Sequence, residues 1–431
     1  MDALFRAPRG LEGMIEAPAD KSITHRALML AAVSSGRCRV RNPLSTGDCV
    51  STRRCLESLG VSIEQADGGL VVQGVGLRGL REPRGPLDAE NSGTTTRLLS
   101  GLLAGQRLFA VLTGDDSLRG RPMARVVEPL RAMGARVEGR EGGKFAPLCY
   151  LPGSGDLLPG SHRLAVASAQ VKSCLLFAGL RASGPTRITG PVASRDHSER
   201  MLRALGVRIE ETEGQMLVHP PSSLPGFETR VAGDVSSAAF FVAASVLSGK
   251  RVTVSNCGLN PTRLGFLSVV KRMGARVGQV EAEATLGEPV GTLQVDAGEL
   301  RGTNVPSSEI PELIDEVPLI AVLGLFARGR TEVQGAEELR FKESDRLRAV
   351  AEMTAALGGR IEILDDGFVV EGPQDLRGGV VDPHGDHRIA MAAAVAAVRV
   401  QEGIRVRGFE CAEVSYPDFV RDYRGLGGIV E

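Results

Sequence analysis

Ala/Leu-rich runs closed by a glycine, each followed by a short β-branched segment, recur six times along the chain. The closing glycines are Gly36, Gly105, Gly184, Gly249, Gly329 and Gly403, and segments such as Arg37–Val40, Thr186–Thr189 and Arg251–Val254 follow them. Glycine is the usual stop after a last helical turn, because it reaches left-handed backbone angles without a Cβ clash. Each cycle holds a second helical run ending on Leu-Gly or Met-Gly: Leu59-Gly60, Met133-Gly134, Leu205-Gly206, Met273-Gly274, Leu357-Gly358 and the degenerate Leu426-Gly427. Val126, Val127, Leu130 and Met133 share one helical face, whereas Arg136-Val137-Glu138 alternates as a half-exposed strand does. A turn and a further strand close most cycles, as in Ile361–Ile363 and Phe368–Val370 around Asp365-Asp366-Gly367. The pattern predicts six strand-helix-strand-helix-strand-strand units, arranged as two α/β domains of three units each in pseudo-threefold symmetry. An ordinary doubly wound α/β protein is the simpler alternative; the 54 glycines favour repeated caps and turns.

Composition narrows the function. Of 431 residues, 42% are hydrophobic and 24% charged, the balance of a soluble globular chain. The 51 basic and 52 acidic residues leave a formal charge of -1, so no global positive field attracts nucleic acid or an anionic membrane, and any anion site is local. Aromatics make up 4%, with no Trp, which leaves little for base stacking. Seven scattered cysteines without a C-x-x-C pair fit a reducing cytoplasm rather than disulfides or zinc. The segment Met1 to Asp20 carries no export pattern, and the apolar stretches Val317–Ala327 and Ile389–Val398 are shorter than the roughly 20 residues a membrane span needs. His384 and His387 flank Asp386 without metal-ligand spacing, so no metal and no cofactor are expected. Gly74-Val75-Gly76-Leu77-Arg78-Gly79 matches a dinucleotide fingerprint, but Leu80-Arg81-Glu82-Pro83 follows where a helix should start, and a turn is expected instead.

Polar chemistry collects where the apolar helices begin. The six starts are Asp20-Lys21-Ser22-Ile23-Thr24-His25-Arg26, Asn91-Ser92-Gly93-Thr94-Thr95-Thr96-Arg97, Ser168-Ala169-Gln170-Val171-Lys172-Ser173, Gly233-Asp234-Val235-Ser236-Ser237, Asp315-Glu316-Val317-Pro318 and Asp386-His387-Arg388. Asp, Asn and Ser there are helix caps, worth about 1 kcal/mol each. Capping accounts for Asp234. It does not account for Lys21, Arg26, Lys172 and Arg388, which put positive charge at the positive end of a helix dipole and so call for an anion. Arg340-Phe341-Lys342-Glu343-Ser344-Asp345-Arg346-Leu347 is expected to open another helix, with Lys342 and Arg346 on one face of its first turn and Leu347, Val350, Met353 and Leu357 as its apolar stripe. The loop Thr113–Met123 adds Arg119 and Arg121.

Asp20-Lys21-Ser22-x-x-x-Arg26, Asn91-Ser92-Gly93-Thr94-x-x-Arg97, Arg121-Pro122-Met123, Ser168-Ala169-Gln170, Lys342–Leu347 and Asp386-His387-Arg388, in this order, resemble the EPSP synthase family of enolpyruvyl transferases over essentially the whole chain. The resemblance implies two domains of three βαβαββ units, with residues 1–19 and 232–431 in one, 20–231 in the other and the active site in a cleft between them. It implies transfer of the enolpyruvyl group of phosphoenolpyruvate to the 5-hydroxyl of shikimate 3-phosphate, with both substrates as small-molecule partners, a cytoplasmic location and a monomer. By the same resemblance Asp315 is the base at the hydroxyl and Glu343 the acid toward the methylene, with Lys21 an alternative proton carrier. Lys21, Gly93, Arg121, Gln170, Arg346 and Arg388 would hold phosphoenolpyruvate, and Lys21, Ser22, Arg26, Ser168, Gln170, Ser194, Asp315 and Lys342 would hold shikimate 3-phosphate.

Three positions depart from one well-known branch: Ala169 replaces a phosphate-binding Ser, Glu338 an Asn, and Val414 an active-site Lys. Lys172 is not an obvious substitute for the last. The sister transferase acting on UDP-N-acetylglucosamine uses a cysteine in the loop matching Gly114 to Pro122, and this loop has none. A silent binder of phosphorylated metabolites is the rival of another class; Asp315 and Glu343 argue against it, since a pure anion binder gains nothing from carboxylates among its cations.

Overall fold

The computed structural model describes residues 1–153 and 155–431, which form two compact units. A terminal unit comprises Met1–Pro18, Gly233–Glu283 and Pro289–Glu431, and an inserted unit comprises Ala19–Ala232 with Ala284–Glu288. The short excursion at 284–288 is the tip of a hairpin between strands Arg276–Thr285 and Glu288–Asp296, and no sequence signal marked it.

Six four-stranded sheets share one topology. In the sheet of residues 87–151, Leu87–Asp88 runs parallel to Ala110–Thr113, which pairs antiparallel with Phe145–Leu151, itself antiparallel to Arg136–Gly139. Between those strands run the helices Gly93–Ala104 and Ala124–Ala132, so the unit reads β-α-β-α-β-β. Three sheets borrow a strand from far along the chain. Glu228–Arg230 runs parallel to Ser35–Arg41, Gly13–Glu16 runs parallel to Val252–Gly258, and Ala3–Arg6 pairs antiparallel with Ile404–Val406.

The first helix of each repeat is the inner one: Lys21–Val33, Gly93–Ala104 and Ala169–Gly179 in the inserted unit, and Val235–Ser248, Val317–Phe326 and His387–Ala396 in the terminal unit. Beyond their polar first turns these helices are largely apolar on every face, which suits them to a core position rather than a surface. All ten residues of His387–Ala396 are buried. The three inner helices of the terminal unit pack on one another, and in the inserted unit the Gly93 helix packs on both others. Gly101 explains how closely: a Cβ there would lie 2.2 Å from the Cys174 carbonyl oxygen. The second helices are amphipathic, as in Ala124–Ala132 with Val126, Val127 and Leu130 buried.

The second-helix glycines behave as a set, with Gly60, Gly134, Gly206, Gly274, Gly358 and Gly427 all at φ between 75 and 110°. The first set differs from expectation. Only Gly105 and Gly249 stand at a helix C-cap, and only Gly249 does so in the left-handed region; Gly36 is instead the second residue of a strand and Gly329 the first of another.

Candidate active site

Five of the six inner helices start with a side-chain cap. Asp20 accepts from Ile23 N at 2.8 Å, Ser92 from Thr95 N at 3.0 Å, Ser168 from Val171 N at 3.4 Å, Asp234 from Ser236 N at 2.9 Å and Asp386 from Arg388 N at 2.9 Å. The sixth start is different. A 3-10 turn at Ile314–Glu316 leads into Val317–Phe326 with Pro318 in its first turn, so Asp315 does not cap. Its carboxylate instead accepts from Arg346 Nη1 at 3.1 Å and lies 3.5 Å from Arg388 Nε.

In the inserted unit, Lys21 opens the first helix and its ammonium lies 3.2 Å from Asp48 Oδ2. Ser22 follows, half-buried, and its carbonyl accepts from Arg26 Nη1 at 2.9 Å. Arg26 is buried; its Nε donates to Ser198 Oγ at 2.8 Å and its Nη2 to Ser173 Oγ at 2.9 Å. Burial pulls its pKa down to about 10, against the opposing pull of Glu199, Asp20 and Glu288. The Gly93 helix start is open for a steric reason: a Cβ at 93 would lie 3.0 Å from Arg97 Nη1 and 3.4 Å from Arg121 Nη1. Arg121 donates to the Asn91 carbonyl and to Asn91 Oδ1. Gln170 accepts from Arg97 Nη1 and donates to Thr94 Oγ1 at 3.0 Å. Arg97, to which the family resemblance assigns no role, thus joins the same group. Ser168 caps the third helix, and Ser194 lies buried in the loop before the helix His197–Ala204.

In the terminal unit, Arg346 is buried among carboxylates. Its Nη2 donates to Glu343 Oε2 at 2.6 Å, its Nε to Asp386 Oδ2 at 2.8 Å, and its Nη1 to Asp315 as above. Burial opposes the charge, but Asp386, Glu343 and Asp315 outweigh it and push the guanidinium well above its ordinary value. Asp386 is held low, with burial opposed chiefly by Arg346. Arg388 is buried, and its Nη1 donates to the Asp315 carbonyl at 3.5 Å.

One local expectation fails here. The helix begins at Arg346 with Asp345 as its cap, and Lys342 ends a preceding 3-10 turn, so Lys342 and Arg346 do not share a helical face. The Asp345 cap stops the helix from starting earlier. The stripe Leu347, Val350, Met353 and Leu357 is buried as expected. The loop at 113–123 contains a one-turn helix, Asp116–Arg119, and Arg119 is turned back to the Gly114 carbonyl. Val414 ends a 3-10 turn, half-buried. Among the described residues no group of His, Cys, Asp and Glu is arranged to hold a metal, and no helix is long and apolar enough to cross a membrane.

Repeated βαβαββ units, with Lys21, Arg26 and Arg97 near the starts of inner helices in the inserted unit and Arg388 near one such start in the terminal unit, are those of an α/β transferase of the enolpyruvyl type. The fold of the enolpyruvyl transferase NikO from Streptomyces tendae matches with a TM-score of 0.81 at 18% identity, covering 100% of this chain and 98% of that one. The family profile of EPSP synthase (3-phosphoshikimate 1-carboxyvinyltransferase) matches residues 5–423, and the chain belongs to that family. It is 49% identical to the 3-phosphoshikimate 1-carboxyvinyltransferase of Synechococcus sp. (strain JA-3-3Ab), over 97% of this chain and 95% of the relative. It is 48% identical to that of Pelotomaculum thermopropionicum, over 97% of each chain. The EPSP synthase structure from Acinetobacter baumannii superposes with a TM-score of 0.88 at 35% identity, covering 100% of this chain and 99% of that one.

Proposed function

We propose that the chain transfers the carboxyvinyl group of phosphoenolpyruvate to the 5-hydroxyl of shikimate 3-phosphate, releasing phosphate. The observation that carries this reading is the cluster of Asp315, Glu343 and Asp386 around Arg346, with Arg388 beside Asp315. Carboxylates among cations suit proton transfer on anionic substrates better than anion binding alone. Asp315, released from capping, takes the hydroxyl proton as the oxygen attacks C2 of phosphoenolpyruvate. Glu343, or alternatively Lys21, delivers a proton to the methylene carbon. The resulting tetrahedral ketal expels phosphate, and the methyl group returns its proton to the group that supplied it.

Lys21, Gly93 and Arg121 hold the phosphate of phosphoenolpyruvate, Arg346 and Arg388 its carboxylate, and Gln170 lies between both substrates. Ser22 and Arg26 meet the shikimate carboxylate, while Ser168, Ser194 and Lys342 hold the 3-phosphate. The protein acts as a monomer in this reading and in the cytoplasm, the latter in keeping with seven cysteines that form no disulfide. The test is phosphate release from phosphoenolpyruvate with shikimate 3-phosphate, with UDP-N-acetylglucosamine or without acceptor. Release with shikimate 3-phosphate alone is expected; release with none of them, from folded protein, overturns the proposal.

A further inference from the structure

Three consecutive residues at the start of the helix His197–Ala204 are buried and polar, and each grips a different part of the inserted unit. His197 Nδ1 pairs with Glu288 Oε1 of the hairpin tip at 2.8 Å. Ser198 Oγ accepts from Arg26 and donates to Ser173 Oγ at 2.7 Å. Glu199 Oε1 lies 2.6 Å from Lys172 Nζ, with both side chains at most 2% exposed. Lys172 Nζ also donates to the backbone carbonyls of Val192 at 2.9 Å and Ser194 at 3.2 Å.

Lys172 therefore does not replace the lysine missing at Val414 as an anion contact, because its ammonium is enclosed by protein acceptors. Nor does stability explain the pair well, since apolar residues of similar volume generally replace a buried ion pair without loss. Burial pushes the Glu199 carboxyl above its ordinary range even against the pull of Lys172. What an apolar pair cannot reproduce is the two bonds to the loop backbone. Lys172 lies two residues beyond Gln170 in the helix capped by Ser168, and its bonds tie that helix to the loop carrying Ser194.

We infer that Lys172 and Glu199 are positioning residues: the ammonium fixes the Val192–Ser194 backbone so that Ser194 and Ser168 present a preformed phosphate site, and Glu199 fixes the ammonium. The inference rests on the substrate assignment above. It predicts an effect on phosphate recognition rather than on affinity in general.

The test is calorimetric titration of shikimate 3-phosphate and of shikimate into the wild type, the double variant Lys172→Met/Glu199→Leu, and each with Ser194→Ala added. The double variant is expected to fold cooperatively with an unfolding temperature lowered by the two lost backbone bonds, to bind shikimate as the wild type does and to bind shikimate 3-phosphate about tenfold more weakly; Ser194→Ala is then expected to weaken the wild type but add nothing in the variant background. Glu199→Gln, which keeps the side-chain shape, reads the same preference for the phosphorylated ligand should the double variant fail to fold. An unchanged preference in a folded variant, or full additivity with Ser194→Ala, overturns the inference. Failure of the wild type itself to bind shikimate 3-phosphate would instead overturn the substrate assignment, and this inference with it.

Discussion

Arg26 and Arg346 are both buried guanidinium groups among the proposed site residues, and they are held in opposite ways. Around Arg26 the hydrogen-bond acceptors are two serine hydroxyls and a backbone carbonyl, and burial lowers its pKa to about 10. Around Arg346 they are three carboxylates, and its pKa is pushed up. A buried cation whose hydrogen bonds go to neutral acceptors is stabilised by an incoming anion, whereas one enclosed by carboxylates is part of the frame that holds them. Under the proposed mechanism Arg26 therefore serves binding, whereas Arg346 both meets the phosphoenolpyruvate carboxylate and holds in place the carboxylates used for proton transfer. Lys21, a proposed site cation of the inserted unit, also faces a carboxylate, that of Asp48, and the proposed mechanism gives it the alternative role of proton carrier.

The largest effect is expected from Asp315→Ala, which lowers kcat by about 10³- to 10⁴-fold, as removal of a general base does, while titration still finds both ligands bound. Arg346→Met strands Asp386 in the interior and is expected to destabilise the protein by about 3–5 kcal/mol in chemical denaturation. Arg26→Met is expected to cost less: its hydrogen-bond partners are neutral, so the melting temperature falls less than in Arg346→Met, while affinity for shikimate 3-phosphate falls about 100-fold. If Arg26→Met destabilises as strongly as Arg346→Met, the contrast between the two groups is void.

Two smaller effects sharpen it. His25, between Lys21 and Arg26, is buried with a pKa lowered from 6.5 to about 3, chiefly by burial, so it stays neutral when folded. The unfolded chain takes up that proton first. Stability from this group is therefore complete above pH 6.5 and is lost as pH falls toward 3, by up to about 1.4 kcal/mol per pH unit. His25→Gln is expected to flatten that slope in pH-dependent denaturation. Gly93→Ala displaces only the flexible ends of Arg97 and Arg121. Its stability should stay within about 0.5 kcal/mol of wild type, while the KM for phosphoenolpyruvate rises.

Legibility in the sequence followed range. The sixfold repeat and the caps at Asp20, Ser92, Ser168, Asp234 and Asp386 are local patterns, and each appears where the sequence placed it. Lys342 was misplaced because a charged run resembles a first helical turn until the Asp345 cap is recognised. Asp48 beneath Lys21, Glu288 against His197 and Glu199 against Lys172 left no local signal, since 27, 91 and 27 residues separate the partners. The six inner-helix starts also looked alike in sequence. Only the fold separates Asp234, whose carboxylate caps its helix and accepts from Arg263 at 3.0 Å, from Asp315, which caps nothing.

Steady-state kinetics of Arg26→Met and Asp315→Ala, measured side by side with both substrates varied, test the division between binding charge and proton transfer most directly. The account predicts that Arg26→Met raises the KM for shikimate 3-phosphate with kcat nearly retained, and that Asp315→Ala lowers kcat with KM nearly retained. Loss of kcat in Arg26→Met with an unchanged KM, or the converse in Asp315→Ala, would contradict it.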